Sequence, residues 1–321
     1  MGEWSRTVEG MPRARISTGI ELDYEDQGAG PPVLLVMGIG AQWIHWPDAF
    51  VDALVARGLR VLRYDNRDVG HSTSLDHLGR PPHAGWLLLR GLVRRGRGVP
   101  SPYRLDDMAT DGVALLDALG LPGAHVVGAS MGGMIAQAMT LAHPTRVRSL
   151  VSIMSGPGRR RDLGRPKALL ALLSGPAPRT PEEAGERLVR LFRVVGSPGF
   201  PLEEEGLRAL GRRAFERDGG PNRDGFARQM AAIVTSGTRR HLLPTITAPT
   251  LVLHGEDDPL IPVRAGRATA ALIPGARLRT FPGMGHDLPR ALWPALADAI
   301  AEHAHAAEAL AVPRPALVAA G

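Results

Sequence analysis

The chain has 321 residues, 44% of them hydrophobic, no cysteine, and a formal net charge of +6 carried almost wholly by arginine, since Lys167 is the only lysine. That length fits one large domain or a domain with a sizeable insertion, and the apolar fraction suffices for a core. The lack of cysteine excludes disulfides, cysteine metal sites and a thiol nucleophile, while scattered arginines and only 4% aromatic residues offer no stacking platform for nucleic acid.

Residues 1–12 carry no pattern and are expected to be loosely ordered. They lack an apolar h-region, so no secretory signal is expected. No apolar run reaches the roughly 20 residues that span a bilayer, and the simplest compartment is the cytoplasm. Arg15–Thr18 and Glu21–Glu25 alternate about Gly19 and predict a hairpin at a sheet edge. Val33–Met37 is a solid apolar run, as a strand covered on both faces requires, and it stops at Gly38-Ile39-Gly40. Pro47–Arg57 has helical spacing, and Arg60–Asp65 is the next strand. Trp86–Arg95 predicts a short amphipathic helix with a basic end, read as a surface helix near the mouth of a site rather than a membrane anchor. Leu105–Leu119 predicts a helix, Ala124–Val127 a strand, and Val147–Met154 another strand.

From Gly156 to Ala248 strand-like runs cease. Lys167–Leu173, Pro181–Val195, Leu202–Asp218 and Arg223–Thr235 are helical, broken by Gly and Pro. Alternation then returns: strand Thr250–His254, helix Val263–Ile273, strand Arg277–Phe281, helix Pro289–His303. Repeated strand–helix units predict an α/β fold, a mostly parallel central sheet with helices on both faces. The expected organisation is a core over 13–155, an inserted helical cap over 156–248, the rest of the core over 249–305, and a flexible tail over 306–321. Ligands of open α/β sheets bind at the C-terminal edge, where the cap is expected to lie.

The chemistry-bearing stretch is Gly128-Ala129-Ser130-Met131-Gly132, between a strand and a helix. Gly-x-Ser-x-Gly in that setting exposes a serine hydroxyl at a helix N-terminus, where backbone N–H groups favour developing negative charge. A glycine-rich turn that happens to contain a serine has the same pattern, so the rest of a catalytic constellation has to be found. Serine needs a base, and the base an orienting acid. Among eleven histidines, His286 stands out in the glycine-rich loop Phe281–Asp287 directly after a strand. His254, at a strand end, reads as structural, and His303 and His305 as solvated. The loop His254–Pro262 supplies Glu256, Asp257 and Asp258 after another strand end, completing the order Ser…Asp…His. One of the two aspartates is expected to serve only turn chemistry or helix capping. The Met131 N–H follows the nucleophile, and the Gly38-Ile39-Gly40 loop is the expected source of a second oxyanion donor.

In this order of pieces the chain resembles the α/β-hydrolase family from about Arg15 to about His303, and within it the aclacinomycin methylesterase branch. The shared stretches are Val36-Met37-Gly38, Trp46-Pro47-Asp48, Arg63–Asp68 with Gly70 and Ser72, Gly128–Gly132, and Pro282–His286. The resemblance implies an α/β-hydrolase fold with Ser130 as nucleophile, His286 as base, Asp258 rather than Asp257 as acid, and the Ile39 and Met131 N–H groups as oxyanion hole. It makes Tyr64-Asp65-x-Arg67 a structural turn. It also implies a serine esterase acting on a methyl ester, medium-chain ester or lactone, with no cofactor, no metal and a hydrophobic small-molecule ester as partner. The chain departs from the family in having Met37 where most relatives carry histidine. Trp43, Trp46, the Trp86 region and the cap are expected to set specificity, with Met131, Met134, Met154 and Met230 suggesting an apolar pocket. Two other classes remain: a hydrolase-fold protein with a non-hydrolytic or ligand-binding role, and a peripheral membrane protein using Trp86–Arg95.

Overall fold

A computed structural model describes residues 12–79, 81–94, 99–158, 162–220 and 222–311. The loosely ordered start expected for 1–12 lies almost wholly outside them, as does the end of the tail. Eight strands form one sheet: β1 (Arg13–Arg15), β2 (Glu21–Gln27), β3 (Pro32–Val36), β4 (Arg60–Tyr64), β5 (Ala124–Ala129), β6 (Val147–Ile153), β7 (Thr250–Gly255) and β8 (Arg277–Phe281). Their order is β1-β2-β4-β3-β5-β6-β7-β8. The first two pairings are antiparallel and the others parallel. The expected hairpin forms as β1 with β2, but its first strand is Arg13–Arg15 rather than Arg15–Thr18, where the chain is already turning.

The strands are apolar throughout because both faces are covered. Side chains alternate, so Leu34, Val36 and Val126 join one core while Val33, Leu35 and Val127 join the other. The first core is closed by α3 (Leu105–Ala118) and α4 (Met131–Ala142), the second by α1 (Asp48–Val55) and α10 (Trp293–Ala311). Each fully buried leucine or valine contributes about 1.5–3 kcal/mol. The peripheral helices are α2 (Ala84–Arg94) and α9 (Val263–Leu272).

Between β6 and β7 come α5 (Pro166–Leu173), α6 (Pro181–Val195), α7 (Glu204–Asp218) and α8 (Arg223–Ser236). Thr180 caps α6 by accepting from the Glu183 N–H, with Pro181 at the first helical position. The helices α6 and α7 cross where two glycines meet: a Cβ on Gly211 would lie 2.7 Å from the Gly185 Cα. This block meets the loops that follow the C-terminal ends of β3, β4 and β8. It is held there by buried charge. Arg217 of α7 binds Asp23 at 2.6 Å and Asp65 at 3.0 Å. Arg228 of α8 forks onto Asp68 at 2.9 and 2.7 Å.

Two sequence expectations are corrected at the C-terminal helix. The tail does not begin at Ala306, because α10 continues to Ala311, and Glu308 lies 2.9 Å from Arg148 and 3.1 Å from His125. His303 is buried rather than solvated: its Nε2 faces the Pro249 carbonyl at 3.2 Å, and Arg277 lies 3.2 Å from its Nδ1.

Candidate active site

The turn from β5 to α4 is possible only with glycine on either side of the serine. Ser130 has φ 57° and ψ −119°, a conformation costing a non-glycine residue about 1–3 kcal/mol. A Cβ on Gly128 would lie 2.1 Å from the Gly132 carbonyl oxygen, and one on Gly132 would lie 2.0 Å from that of Val36. The turn is held by the Ser130 N–H donating to Ile153 O at 3.0 Å and by Gly133 N–H donating back to Ser130 O at 3.0 Å.

The structure brings Ser130, His286 and Asp258 into one relay. His286 Nε2 lies 3.0 Å from Ser130 Oγ, and its Nδ1 lies 2.7 Å from Asp258 Oδ2. The other carboxylate oxygen of Asp258 accepts from the Leu260 and Ile261 N–H groups, each at 2.8 Å, which fixes its plane. Asp257 turns the other way and accepts from the Gly283 N–H at 2.9 Å. The sequence left one of the two to local turn chemistry or capping, but the local turn is made by Asp258 itself, and Asp257 ties its loop to the histidine loop 26 residues on.

His254 is fully buried, with Nε2 2.7 Å from Ile261 O and 3.7 Å from Asp258 Oδ2. Burial pushes its pKa below the ordinary histidine value, so it stays neutral and donates to the carbonyl. It thus supports the acid loop without competing for the carboxylate.

The loop after β3 lies against the nucleophile: a Cβ on Gly38 would sit 3.3 Å from the Ser130 Cβ. Ile39 follows directly, and the Gly38 carbonyl accepts from Ala41 N–H at 3.3 Å to close the turn. Met131 opens α4, so its N–H is a first-turn donor without a partner inside the helix. Met37 is buried, and its carbonyl accepts from the Asn66 side chain at 3.0 Å.

Trp43 and Trp46 do not line a pocket. Both are fully buried. The guanidinium groups of Arg63 and Arg217 lie over the Trp43 ring, 4.4 and 4.9 Å from its centroid, and its indole N–H donates to Asp23 at 2.8 Å. Trp46 stacks on Phe50. Met131 and Met154 are sheet core, and Met230 packs with Leu87 and Ala231 between α8 and α2. Trp86 is 40% exposed on α2, under Arg90, and the side chains from Gly91 to Arg95 lie outside the described residues. The Tyr64-Asp65-x-Arg67 turn is structural: Asp65 accepts from Trp43 and His71 N–H groups, and Arg67 forks onto Asp111 at 2.6 Å. Burial pushes Asp65 up to about 6.

Sequence reasoning missed how the helical block grips this site. The Val195 carbonyl accepts the His286 N–H at 2.7 Å. The Ser197 hydroxyl accepts the Gly285 N–H at 2.8 Å and donates to Asp287, whose carboxyl burial holds above its ordinary range. On the opposite side, Gln229 of α8 accepts the Gly40 N–H at 2.7 Å. The one usable signal was on α8, where the polar pair Arg228-Gln229 sits in sequence between the apolar pairs Phe226-Ala227 and Met230-Ala231.

A family model described as alpha/beta hydrolase fold matches residues 31–289. A rhodomycin D methylesterase of Streptomyces sp. (strain C5) is 30% identical, over 92% of this chain and 99% of its own. A second rhodomycin D methylesterase, from Streptomyces peucetius, is 31% identical over the same shares. Among solved structures, the meta-cleavage product hydrolase of Pseudomonas fluorescens IP01 superposes with a TM-score of 0.69 at 21% identity, covering 92% of this chain and 98% of its own. That last likeness concerns the fold alone. Among the described residues no helix is long and apolar enough to cross a membrane.

Proposed function

The chain belongs to the alpha/beta hydrolase family, and from that premise we propose that it is a serine esterase cleaving a carboxylic ester through an acyl-enzyme on Ser130. The observation that carries this reading is the continuous Ser130–His286–Asp258 relay, at 3.0 and 2.7 Å.

His286 Nε2 takes the hydroxyl proton as Ser130 Oγ attacks the ester carbonyl, and Asp258 orients and stabilises the imidazolium. The tetrahedral oxyanion lies against the Ile39 and Met131 N–H groups, each donor contributing about 3–4 kcal/mol to the transition state. Collapse expels the alcohol, protonated by His286. Water, deprotonated by His286, then attacks the acyl-enzyme and releases the carboxylic acid. No step calls for a metal or cofactor. The two methylesterase relatives favour a methyl ester, with lactones and medium-chain esters as the neighbouring substrate class. The partner is a small apolar ester. The helical block 156–248 acts as the cap that selects it.

The test is intact-protein mass after fluorophosphonate treatment, beside a panel of p-nitrophenyl and methyl esters. A single adduct, lost in Ser130→Ala together with turnover while the fold is retained, supports the reading. Wild-type turnover in Ser130→Ala overturns Ser130 as nucleophile, and no adduct with no turnover in the wild type overturns the esterase reading and returns the chain to a ligand-binding role.

A further inference from the structure

We propose that Gln229, on cap helix α8, is a positioning residue that holds the Gly38–Ala41 turn in the conformation presenting the Ile39 N–H to the oxyanion. This inference deepens the esterase reading and rests on it.

Gln229 is fully buried, and its amide is spent on two backbone groups. Its Oε1 accepts the Gly40 N–H at 2.7 Å, and its Nε2 donates to the Arg67 carbonyl at 2.9 Å. The acceptor and the donor are thereby both satisfied, so the amide has one orientation. It bridges the loop after β3 to the loop after β4 from a helix that belongs to neither.

The Gly40 N–H belongs to the Ile39–Gly40 peptide, the central peptide of a turn closed by Gly38 O and Ala41 N–H. Gly40 has φ +63°, where that peptide's N–H and carbonyl point to opposite sides of the turn. A half-rotation of the peptide exchanges the two. It would bring the Ile39 carbonyl toward Gln229 Oε1, oxygen against oxygen. Gln229 therefore selects one rotation, and with it the ψ of Ile39. The peptide carrying the Ile39 N–H is the next one back, joined to the held peptide through Ile39 and through the Gly38–Ala41 hydrogen bond that closes the turn. Phe226, one helical turn earlier on α8, closes the same spot: a Cβ on Gly40 would lie 2.7 Å from its ring.

The far end of the loop is held from the cap as well. Gln42 donates to the Ala214 carbonyl at 2.8 Å and accepts from Arg217. Both ends of the oxyanion loop are thus fixed by cap helices, and the cap is part of the catalytic scaffold as well as a substrate cover. A donor that stabilises charge only in the transition state affects kcat, whereas a pocket wall affects KM.

The experiment compares wild type, Gln229→Met and Gln229→Glu. Methionine keeps the volume and removes both hydrogen bonds. Glutamate keeps an acceptor for the Gly40 N–H. We measure kcat and KM on the best ester, and amide hydrogen exchange of the peptide spanning Gly38–Ala41. The expected result is faster exchange at that peptide and a kcat at least tenfold lower in Gln229→Met, with KM within about twofold. Gln229→Glu should recover part of both, because it keeps the acceptor for the Gly40 N–H while its second oxygen faces the Arg67 carbonyl where the amide donated. Unchanged exchange in Gln229→Met overturns the proposal, because the contact then holds nothing. Faster exchange with unchanged kcat, or a loss confined to KM, overturns it too, because the freed turn then has no bearing on the oxyanion. Absence of ester turnover in the wild type would sink the esterase reading, and the exchange data alone would still decide whether Gln229 fixes the turn.

Discussion

The backbone N–H of His286 donates to the carbonyl of Val195, the last residue of α6, at 2.7 Å. The candidate base therefore has its backbone tied to the end of α6 and its side chain oriented by Asp258. The contact is tight: a Cβ on Gly285 would lie 2.3 Å from the Gly196 carbonyl oxygen, so the cap and the histidine loop touch backbone to backbone.

Ser197 locks the same junction, and its removal should be felt in both stability and rate. Ser197→Ala leaves the Gly285 N–H and the half-buried Asp287 carboxyl without their hydroxyl partner. The expected cost is about 1–3 kcal/mol of stability, with kcat several-fold lower and KM little changed. Thermal unfolding and ester kinetics check this. A variant as stable and as fast as wild type would show that the α6–His286 junction has no role in placing the base.

The acid should be separable from its neighbour. Asp258→Asn removes the partner of His286 Nδ1 and should lower kcat by about 10³–10⁴-fold. Asp257→Asn retains an oxygen for the Gly283 N–H and should stay within a few-fold of wild type. Kinetics of the two variants on one ester decide it, and the opposite ranking would move the acid one residue.

The contrast between Asp258 and Gln229 marks what the sequence could and could not reveal. Strand runs such as Val33–Val36, helical runs such as Pro181–Val195 and the Gly-x-Ser-x-Gly turn are set by near neighbours, so their spacing is visible in the chain. The acid loop and His286 were legible because each follows a strand end, and parallel strands deliver their C-terminal loops to one edge; the choice of Asp258 within that loop came from the family resemblance. Gln229 meets Gly40 across 189 positions, and Arg217 meets Asp23 across 194. No local period encodes such partners. Trp43 and Trp46 misled for the same reason: an aromatic near a site motif reads alike whether it lines a pocket or is buried against two arginines.

The cap's attachment through Arg228 should be strongly cooperative with the fold. Arg228 and Asp68 are both buried, and Asp68 also accepts from Leu75 N–H and Tyr103 OH at 2.7 Å each. Arg228→Met leaves a buried carboxylate uncompensated and should cost about 3–5 kcal/mol. Adding Asp68→Asn should restore part of it, since asparagine tolerates the φ of +68° at this position. Denaturant unfolding of the two single variants and the double variant measures the coupling. Strict additivity would show that the pair does not act as a unit.

Acid should destabilise the fold through its buried histidines. Burial lowers the pKa of His125, His254 and His303 below the ordinary value of 6.5. The unfolded chain then binds more protons than the folded one below that pH, and stability falls as pH drops through this window. Asp65, pushed up to about 6, acts in the opposite sense, so the total slope is a difference. A single variant isolates one contribution. His303→Gln keeps a donor for the Pro249 carbonyl and should flatten the fall of Tm between pH 7 and pH 5. An unchanged slope would show that His303 does not contribute.

The last turn of α10 should matter to stability although it is far from the relay. Glu308 lies beside two groups at the base of the sheet: Arg148 of β6 at 2.9 Å and the fully buried His125 of β5 at 3.1 Å. Truncation after Ala306 removes that carboxylate and the buried Ala307, and leaves the His125 ring facing a gap. The expected cost is about 1–2 kcal/mol, a drop in Tm of a few degrees in a chain of this size. Kinetics on esters should be unchanged, because β5 is held along its length by β3 and β6, and Ser130 stands at its other end. Glu308→Gln keeps an acceptor for both partners and should lose less than truncation does. If the truncated chain melts with the full-length one, the contact at Glu308 carries no weight, and the packing of α10 ends where the amphipathic pattern does, near His303.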